Sequence, residues 1–378
     1  MSAPLEIALL TYSTRPRGGV VHTLALAEAL ARAGQHVTVW SLARGGDASF
    51  FRPVDHRVTV RLVPFPDVPG EDVGPRILRS IAVLGAAYAD ARDGYDVVHA
   101  QDCITANAVG DCLRTVHHLD TFSTPELAAC HEKAIVTPRA LVCVSAAVAA
   151  EVAEGWGRTA TVIPNGVQAG RFEAAAGPAG APARQRWREQ LGGYVLAVGG
   201  IEPRKGTLDL VEAMALLNRA EARRGRPATR LVVAGGETLF DYRDYRARVE
   251  ARAAALGVQP LVLGQVDHEE LPALVAAARV LAFPSTREGF GLAAMEALAA
   301  GVPLVTRDLP VLREVFGPAA VFAGDPAGLA AALLDAVDEA GRATADGARR
   351  QAAGRALARA HSWDTAAQAH LRLYRALG

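Results

Sequence analysis

A chain of 378 residues is longer than one hydrophobic core usually serves, so two domains are expected, and its 51% hydrophobic content suits a buried globular interior. Lys plus Arg and Asp plus Glu both number 40, giving zero formal charge. That balance argues against a nucleic-acid partner, because such binders usually carry a basic excess.

The N-terminus, "MSAPLEIALLTYS", lacks a basic lead and a signal-like apolar core. No uninterrupted apolar run approaches the roughly 18 residues that span a bilayer, so a cytoplasmic location is expected. In the first half, "IALLTY", "HVTVW", "VTVRLV", "YDVVHA", "LRTVHH", "LVCVS" and "ATVIPN" read as strands. Periodic stretches such as "VVHTLALAEALARAG" lie between them, with Leu24, Leu26 and Leu30 on a helix face. Cys103, Cys112, Cys130 and Cys143 have no C-x-x-C spacing and read as buried thiols of a reducing compartment, not as a metal site. "GPRILRSIAVLGAAY", with Arg76 and Arg79 beside Ile77, Leu78 and Ile81, reads as a packed helix. The alternative there is a membrane-surface or lipid-acceptor helix, and with it peripheral membrane contact.

Near Gln168 the pattern breaks. "QAGRFEAAAGPAGAPARQ" is rich in Gly, Ala and Pro and reads as a linker over 169–191. A second alternation follows in "YVLAVGG", "TRLVVAGG", "PLVLGQV", "RVLAFPS", "VPLVTRD" and "AAVFAG". Continuous apolar strands separated by helices indicate parallel sheets covered on both faces. The predicted class is therefore α/β, with two doubly wound Rossmann-like domains at 1–168 and 192–361. The amphipathic tail at 362–378 is expected to fold back across the first domain. Ligands of open parallel sheets bind outside the carboxyl ends of the strands, so a cleft between the domains is the expected site.

Several motifs fall at such ends. In "AVGGIEPRKGTLDLVEA", Gly199 and Gly200 follow a strand, Arg204 and Lys205 occupy the loop, and Gly206 opens a helix. Glycines admit a ligand close to the backbone, a helix N-terminus favours anions, and adjacent Arg and Lys can clamp a diphosphate. A solvated basic turn is the plain alternative, and the G-x-G-x-x-G spacing of a dinucleotide fingerprint is absent. Gly18 and Gly19 stand likewise between the first strand and first helix, with His22 in the first helical turn. His117 and His118 end "LRTVHH", and His99 with Asp102 holds an equivalent place. In "RVLAFPSTREGFGLAAMEALAAG", Glu288 sits in a loop, Gly289 and Gly291 free the backbone around Phe290, and Glu296 lies one turn inside a helix. A helix rises ~1.5 Å per residue, so two carboxylates this far apart suit adjacent parts of one long ligand. Carboxylates accept well from the paired hydroxyls of a ribose or hexose. A helix-dipole role for Glu288 would leave Glu296 unexplained.

The E-x-seven-E pattern from Glu288 to Glu296 resembles the signature of retaining glycosyltransferases of family four, which have the two-domain GT-B fold. The likeness extends over nearly the whole chain through the early Gly-Gly turn, "TVH", "VIPNGV", "GGIEPRKG" and the final "SW…LY" helix. It implies that Arg204 and Lys205 hold a donor diphosphate, that Glu296 binds the nucleotide ribose, and that Glu288 lies near the donor sugar hydroxyls. It places the amides of Phe290, Gly291 and Leu292 near sugar and phosphate, His117 by the transferred sugar, and Gly19 beside the phosphates. Val266 follows the strand that meets the nucleobase edge. The doubled histidine leaves open which of His117 and His118 faces the donor.

The implied reaction moves a sugar from a nucleotide-sugar donor to a small-molecule, glycan or lipid acceptor with retention of configuration. No carboxylate is placed as an obvious covalent nucleophile, which favours a front-face path. No cofactor and no metal are expected. There is no Asp-x-Asp triplet, and Asp241 and Asp244 are wrongly spaced in a helical stretch. Two rivals are a nucleotide-sugar 2-epimerase, disfavoured by the tandem Arg204–Lys205 with the glutamate spacing, and a non-catalytic sugar-nucleotide sensor.

Overall fold

The computed structural model describes residues 3–119, 125–236, 242–342 and 344–377; Asp241 lies outside them. The chain forms two compact units, 1–166 with 361–378, and 167–360. The first contains β1 (Glu6–Thr11), α1 (Gly18–Arg32), β2 (His36–Arg44), β3 (Val58–Phe65), α2 (Val73–Ala89), β4 (Val97–Ala100) and α3 (Cys103–Val109). It continues through β5 (Leu113–Val116), α4 (Pro125–Val136), β6 (Ala140–Cys143), α5 (Ala146–Trp156) and β7 (Thr161–Val162).

These strands make one parallel sheet among the described residues, ordered β3-β2-β1-β4-β5-β6-β7. The order reverses between β1 and β4, where the doubly wound fold opens its ligand crevice. Ile7, Ala8, Leu9 and Leu10 are fully buried on both faces of β1, as expected for a parallel strand covered by helices. Leu24, Leu26 and Leu30 of α1 are fully buried, and so are Val20, His22, Thr23 and Ala27 around the rest of its circumference, so the helix is enclosed on more than the one face expected. Asp102 caps α3 by accepting from Thr105 N at 2.8 Å, and Thr105 answers back in a capping box. β2 runs four residues beyond "HVTVW", to Arg44.

In the second unit come α6 (Ala169–Ala176), α7 (Ala181–Leu191), β8 (Tyr194–Val198), α8 (Thr207–Arg223), β9 (Arg230–Ala234), α9 (Arg243–Leu256), β10 (Leu261–Gly264) and α10 (Leu271–Ala277). Then follow β11 (Val280–Phe283), α11 (Leu292–Ala299), β12 (Leu304–Arg307), α12 (Pro310–Phe316), β13 (Ala320–Ala323), α13 (Pro326–Arg342) and α14 (Ala345–Ala360). The parallel order is β10-β9-β8-β11-β12-β13, reversing between β8 and β11.

The linker expected at 169–191 is corrected. That stretch is α6 and α7, packed on α10 within the second unit. Phe172 is 1% exposed, and Arg184 ties α7 to the carbonyls of Ala175 and Gly177. The Gly, Ala and Pro content that suggested flexibility instead permits close packing. Pro182 sits in the first turn of α7, where its missing N–H costs no helical bond. A Cβ at Gly180 would stand 2.1 Å from the Ala175 carbonyl oxygen, so glycine is needed there.

The tail forms α15 (Trp363–Leu377), which belongs to the first unit and packs on α1. Trp363, Ala367, Leu371 and Tyr374 bury its apolar stripe, and Arg32 reaches Asp364 at 2.6 Å. A Cβ at Gly166 would meet the Trp363 backbone nitrogen at 2.4 Å, so the contact is backbone to backbone.

Candidate functional site

The second unit assembles most of the expected site where its strand order reverses. After β8, residues Pro203–Lys205 form a short 3-10 turn, and Gly206 at φ 64° redirects the chain into α8. After β11, the loop 284–291 runs alongside this turn. Thr286 N donates to the Arg204 carbonyl at 2.7 Å, stitching the two loops together. The Arg307 guanidinium, 8% exposed, bonds Pro284 O at 3.2 and 3.3 Å, Gly324 O at 3.0 Å, and Asp209 of α8. A buried arginine with four hydrogen bonds to three partners is a rigid strut.

Held by these bonds, Lys205 Nζ lies 2.8 Å from Glu288 Oε2 and Arg204 Nη1 lies 3.6 Å from the same oxygen. Arg204 Nη2 also meets Glu202 at 2.7 Å. Glu202 is buried and was missed in the sequence. Its position two residues before Arg204 was the available signal. Lys205 further stands 5.1 Å from the Phe283 ring centre. Beside it lies a small pocket lined by Gly199, Gly200, Thr207, Pro284 and Ser285. The cluster offers two cations whose counter-charges are carboxylates, the arrangement that another anion can enter by exchange.

Gly291, at φ 97°, caps α11, and a Cβ there would press on Phe316 at 3.0 Å and Phe283 at 3.2 Å. Phe290 is buried, so its ring is packing while its backbone remains part of the turn. Glu296 stands in α11, half-buried; burial raises its pKa to about 7, and Arg171 opposes that rise. It does not join the Lys205–Glu288 pair by any hydrogen bond or ion pair among the described residues. Val266 follows β10 and is partly exposed.

The first unit brings Gly19 and His117 together: a Cβ at Gly19 would stand 3.6 Å from His117 Cδ2. His117 packs edge-on to His22 with ring centres 4.7 Å apart, and its Nε2 is buried with no hydrogen-bond partner. Burial, then His118 and Arg114, lower its pKa to about 3, so the ring is neutral near pH 7. Two neighbouring histidines are tied into the fold by hydrogen bonds. His99 bonds Tyr374 OH at 2.7 Å and Thr115 OH at 2.8 Å, and His22 bonds Asn165 at 2.8 Å. Among the described residues no helix is long and apolar enough to cross a membrane, and no group of three His, Cys, Asp or Glu could hold a metal ion. In α2, Ile77, Leu84 and Tyr88 face the core, Leu78 is 49% exposed, and Arg79 is held by Glu71.

Two family models match this chain. "Glycosyltransferase Family 4" covers residues 16–171 and "Glycosyl transferases group 1" covers 184–353. The glycogen synthase of Mycobacterium tuberculosis is 31% identical over 392 aligned residues, taking in 93% of this chain and 89% of the relative. The chain is a family 4 glycosyltransferase. A D-inositol 3-phosphate glycosyltransferase of Salinispora arenicola is 29% identical to this transferase, covering 98% of it and 92% of the relative. Among solved structures, Anabaena HepE in complex with UDP-glucose superposes with a TM-score of 0.74 at 19% identity, covering 98% of the transferase and all of that chain. That likeness confirms the transferase's fold as GT-B, as the motifs implied.

Proposed function

We propose that the transferase moves a sugar from a nucleoside-diphosphate donor to an acceptor hydroxyl with retention of configuration and without a metal ion. The second unit holds the donor and the first receives the acceptor. The observation that carries this reading is the Arg204–Lys205–Glu288 cluster, pinned beside the start of α8 by backbone bonds and the Arg307 strut. Diphosphate oxygens displace Glu288 from the two cations, and the freed carboxylate accepts from sugar hydroxyls. Glu296 accepts from the ribose hydroxyls, and Val266 lies at the base. The amides of Phe290, Gly291 and Leu292 add donors for sugar and phosphate, and the Gly19 amide adds one more. The relatives support a nucleotide donor, since HepE was solved with UDP-glucose.

In the chemical step the bond from the anomeric carbon to the phosphate oxygen breaks, and the acceptor oxygen bonds to the same face. The acceptor proton passes to the departing phosphate. Arg204 and Lys205 stabilise the charge growing there without reorganising, the most effective form of electrostatic catalysis. His117, neutral and with an unpartnered Nε2, makes a hydrogen bond to the transferred sugar and brings no charge to an oxocarbenium-like centre.

The test is the product formed from a defined donor and acceptor, its anomeric configuration read by NMR, before and after exhaustive EDTA treatment. Retained configuration and persistent turnover are expected. An inverted product, or activity abolished by EDTA and restored by magnesium or manganese, would overturn the corresponding part. A donor converted to a stereoisomer with its nucleotide intact and no acceptor would indicate epimerisation instead.

A further inference from the structure

The helices found in place of the expected linker carry an arginine to the nucleoside end of the donor site. α6 packs on α10 and α11, the Phe172 ring is buried, and Glu173 pairs with Arg359 of α14 at 2.6 Å. Arg171 therefore projects from a fixed backbone. Its guanidinium donates to the His268 carbonyl and to His268 Nε2 at 2.7 Å, and it stands 3.5 Å from the Glu269 carboxylate.

His268 and Glu269 belong to the 266–270 turn, which joins β10 to α10 and begins at Val266. Asp267 closes this turn on itself: its Oδ1 accepts from Glu269 N at 2.7 Å and its carbonyl accepts from Glu270 N at 3.1 Å. Those bonds set the shape of the turn but not its place against the rest of the unit. Arg171 sets the place, because two bonds from one planar fork fix direction as well as distance.

α6 also packs on α11, which carries Glu296. The positive charge of Arg171 favours the ionised Glu296 carboxylate, against the burial that disfavours it. Other charges around α11 are held elsewhere. Glu288 is held by Lys205, Arg307 by Pro284 and Asp209, and Glu173 by Arg359. Arg355 of α14 lies against Gly301, beyond the carboxyl end of α11, and neither α10 nor β11 carries a titratable side chain.

We propose that Arg171 is a positioning residue of the donor site, bracing the 266–270 turn against α6 so that Val266 and Glu296 meet the base and the ribose of one nucleotide together. The proposal rests on the reading that the second unit holds a nucleotide donor. Arg171 touches neither base nor sugar; it acts through the turn and the glutamate.

Calorimetry of the full chain measures binding of UDP, GDP and ADP below and above pH 7, and hydrogen exchange follows the amides of 265–270. At the lower pH, Arg171→Gln should weaken the tightest of the three by roughly tenfold or more, the loss of a charged hydrogen-bonding partner. The ratio of variant to wild-type affinity should recover in part as pH rises, because Glu296 then ionises without help. Arg171→Lys keeps the charge without the fork, so it should restore the wild-type pH profile but not the full affinity. Exchange in Arg171→Gln should quicken in 265–270 and not across the second sheet. Wild-type affinity in Arg171→Gln, or exchange quickened evenly over the second unit, would overturn the proposal. A loss of affinity equal at both pH values would overturn the link to Glu296. If none of the three nucleotides binds the wild-type chain, the donor reading fails and the proposal falls with it.

Discussion

Glu288 accepts from Lys205 and faces Arg204, while Glu202 takes the other side of the same arginine, so each cation is oriented before any ligand arrives. Removing one donor from an anion-stabilising set costs about 3 kcal/mol, or roughly a hundredfold in rate. Arg204→Ala and Lys205→Ala should each lower kcat/KM by that order, and wild-type values in both would refute the diphosphate clamp. Glu202→Gln should cost less, since it disturbs only the aim of Arg204. The two motif glutamates should separate in binding assays. Glu296→Gln weakens the free nucleoside diphosphate, whereas Glu288→Gln spares it and slows sugar transfer; equal loss of diphosphate affinity would contradict the division. Glu296 also has a pH signature. Its folded pKa, about 7, lies above the ordinary 4.5, so ionisation is harder in the folded state. The stabilising contribution is present below pH 4.5 and is lost as pH rises through 7. Wild type should therefore lose stability across that window relative to Glu296→Gln, as chemical denaturation at several pH values would show.

Among the elements, the approach of the 203–205 turn to α8 depends on one residue. Gly206 has φ 64°, and a Cβ there would stand 2.2 Å from the Pro284 carbonyl oxygen that Arg307 also holds. Gly206→Ala must push that loop away, at a cost on the order of 1–3 kcal/mol of stability with weaker donor binding. Urea denaturation and a nucleotide titration would register both, and an unchanged midpoint would show that the loop yields freely. The strands and their helices were legible because each is marked by its own run of apolar residues, "IALL" and "VLAF" being clear cases. The two helices in 169–191 were not. Their composition resembles a loop, and Phe172 shows its purpose only once α10 is beside it.

At the scale of the whole chain, the tail is part of the first unit's interior. His22, His99, His117 and His370 lie in one buried group, with His22 and His370 ring centres 6.3 Å apart and His99 and His370 5.6 Å apart. Burial lowers every one of these pKa values, and the other histidines lower those of His22, His99 and His117 further. Neutral rings are thus required for packing. The stability they confer is complete above the unfolded value of 6.5 and is lost as pH falls toward the folded values, about 4 for His370 and about 3 for His117. Unfolding of the first unit should become easier from pH 6.5 downward, and Tyr374→Phe, which removes the His99 partner, should lower the midpoint at all pH values. A chain ending before Trp363 would expose the stripe of α1 that α15 covers. It should be cleaved rapidly in the first unit by a protease, and resistance equal to the full chain would refute the account.

The sequence by itself determined the alternation of elements, the two parallel sheets, the family, and the positions of the glycine turns and the paired glutamates. These are written locally, in periodicity and in spacings of a few residues. Only the tertiary structure decided what meets across long stretches of chain. Lys205 finds Glu288 83 residues away, and His99 finds Tyr374 275 residues away. It also singled out His117 as the histidine against Gly19 and set the Arg17 guanidinium over the Tyr12 ring. Such pairings depend on strand order and helix packing, which place residues by the geometry of the sheet, not by their distance along the chain.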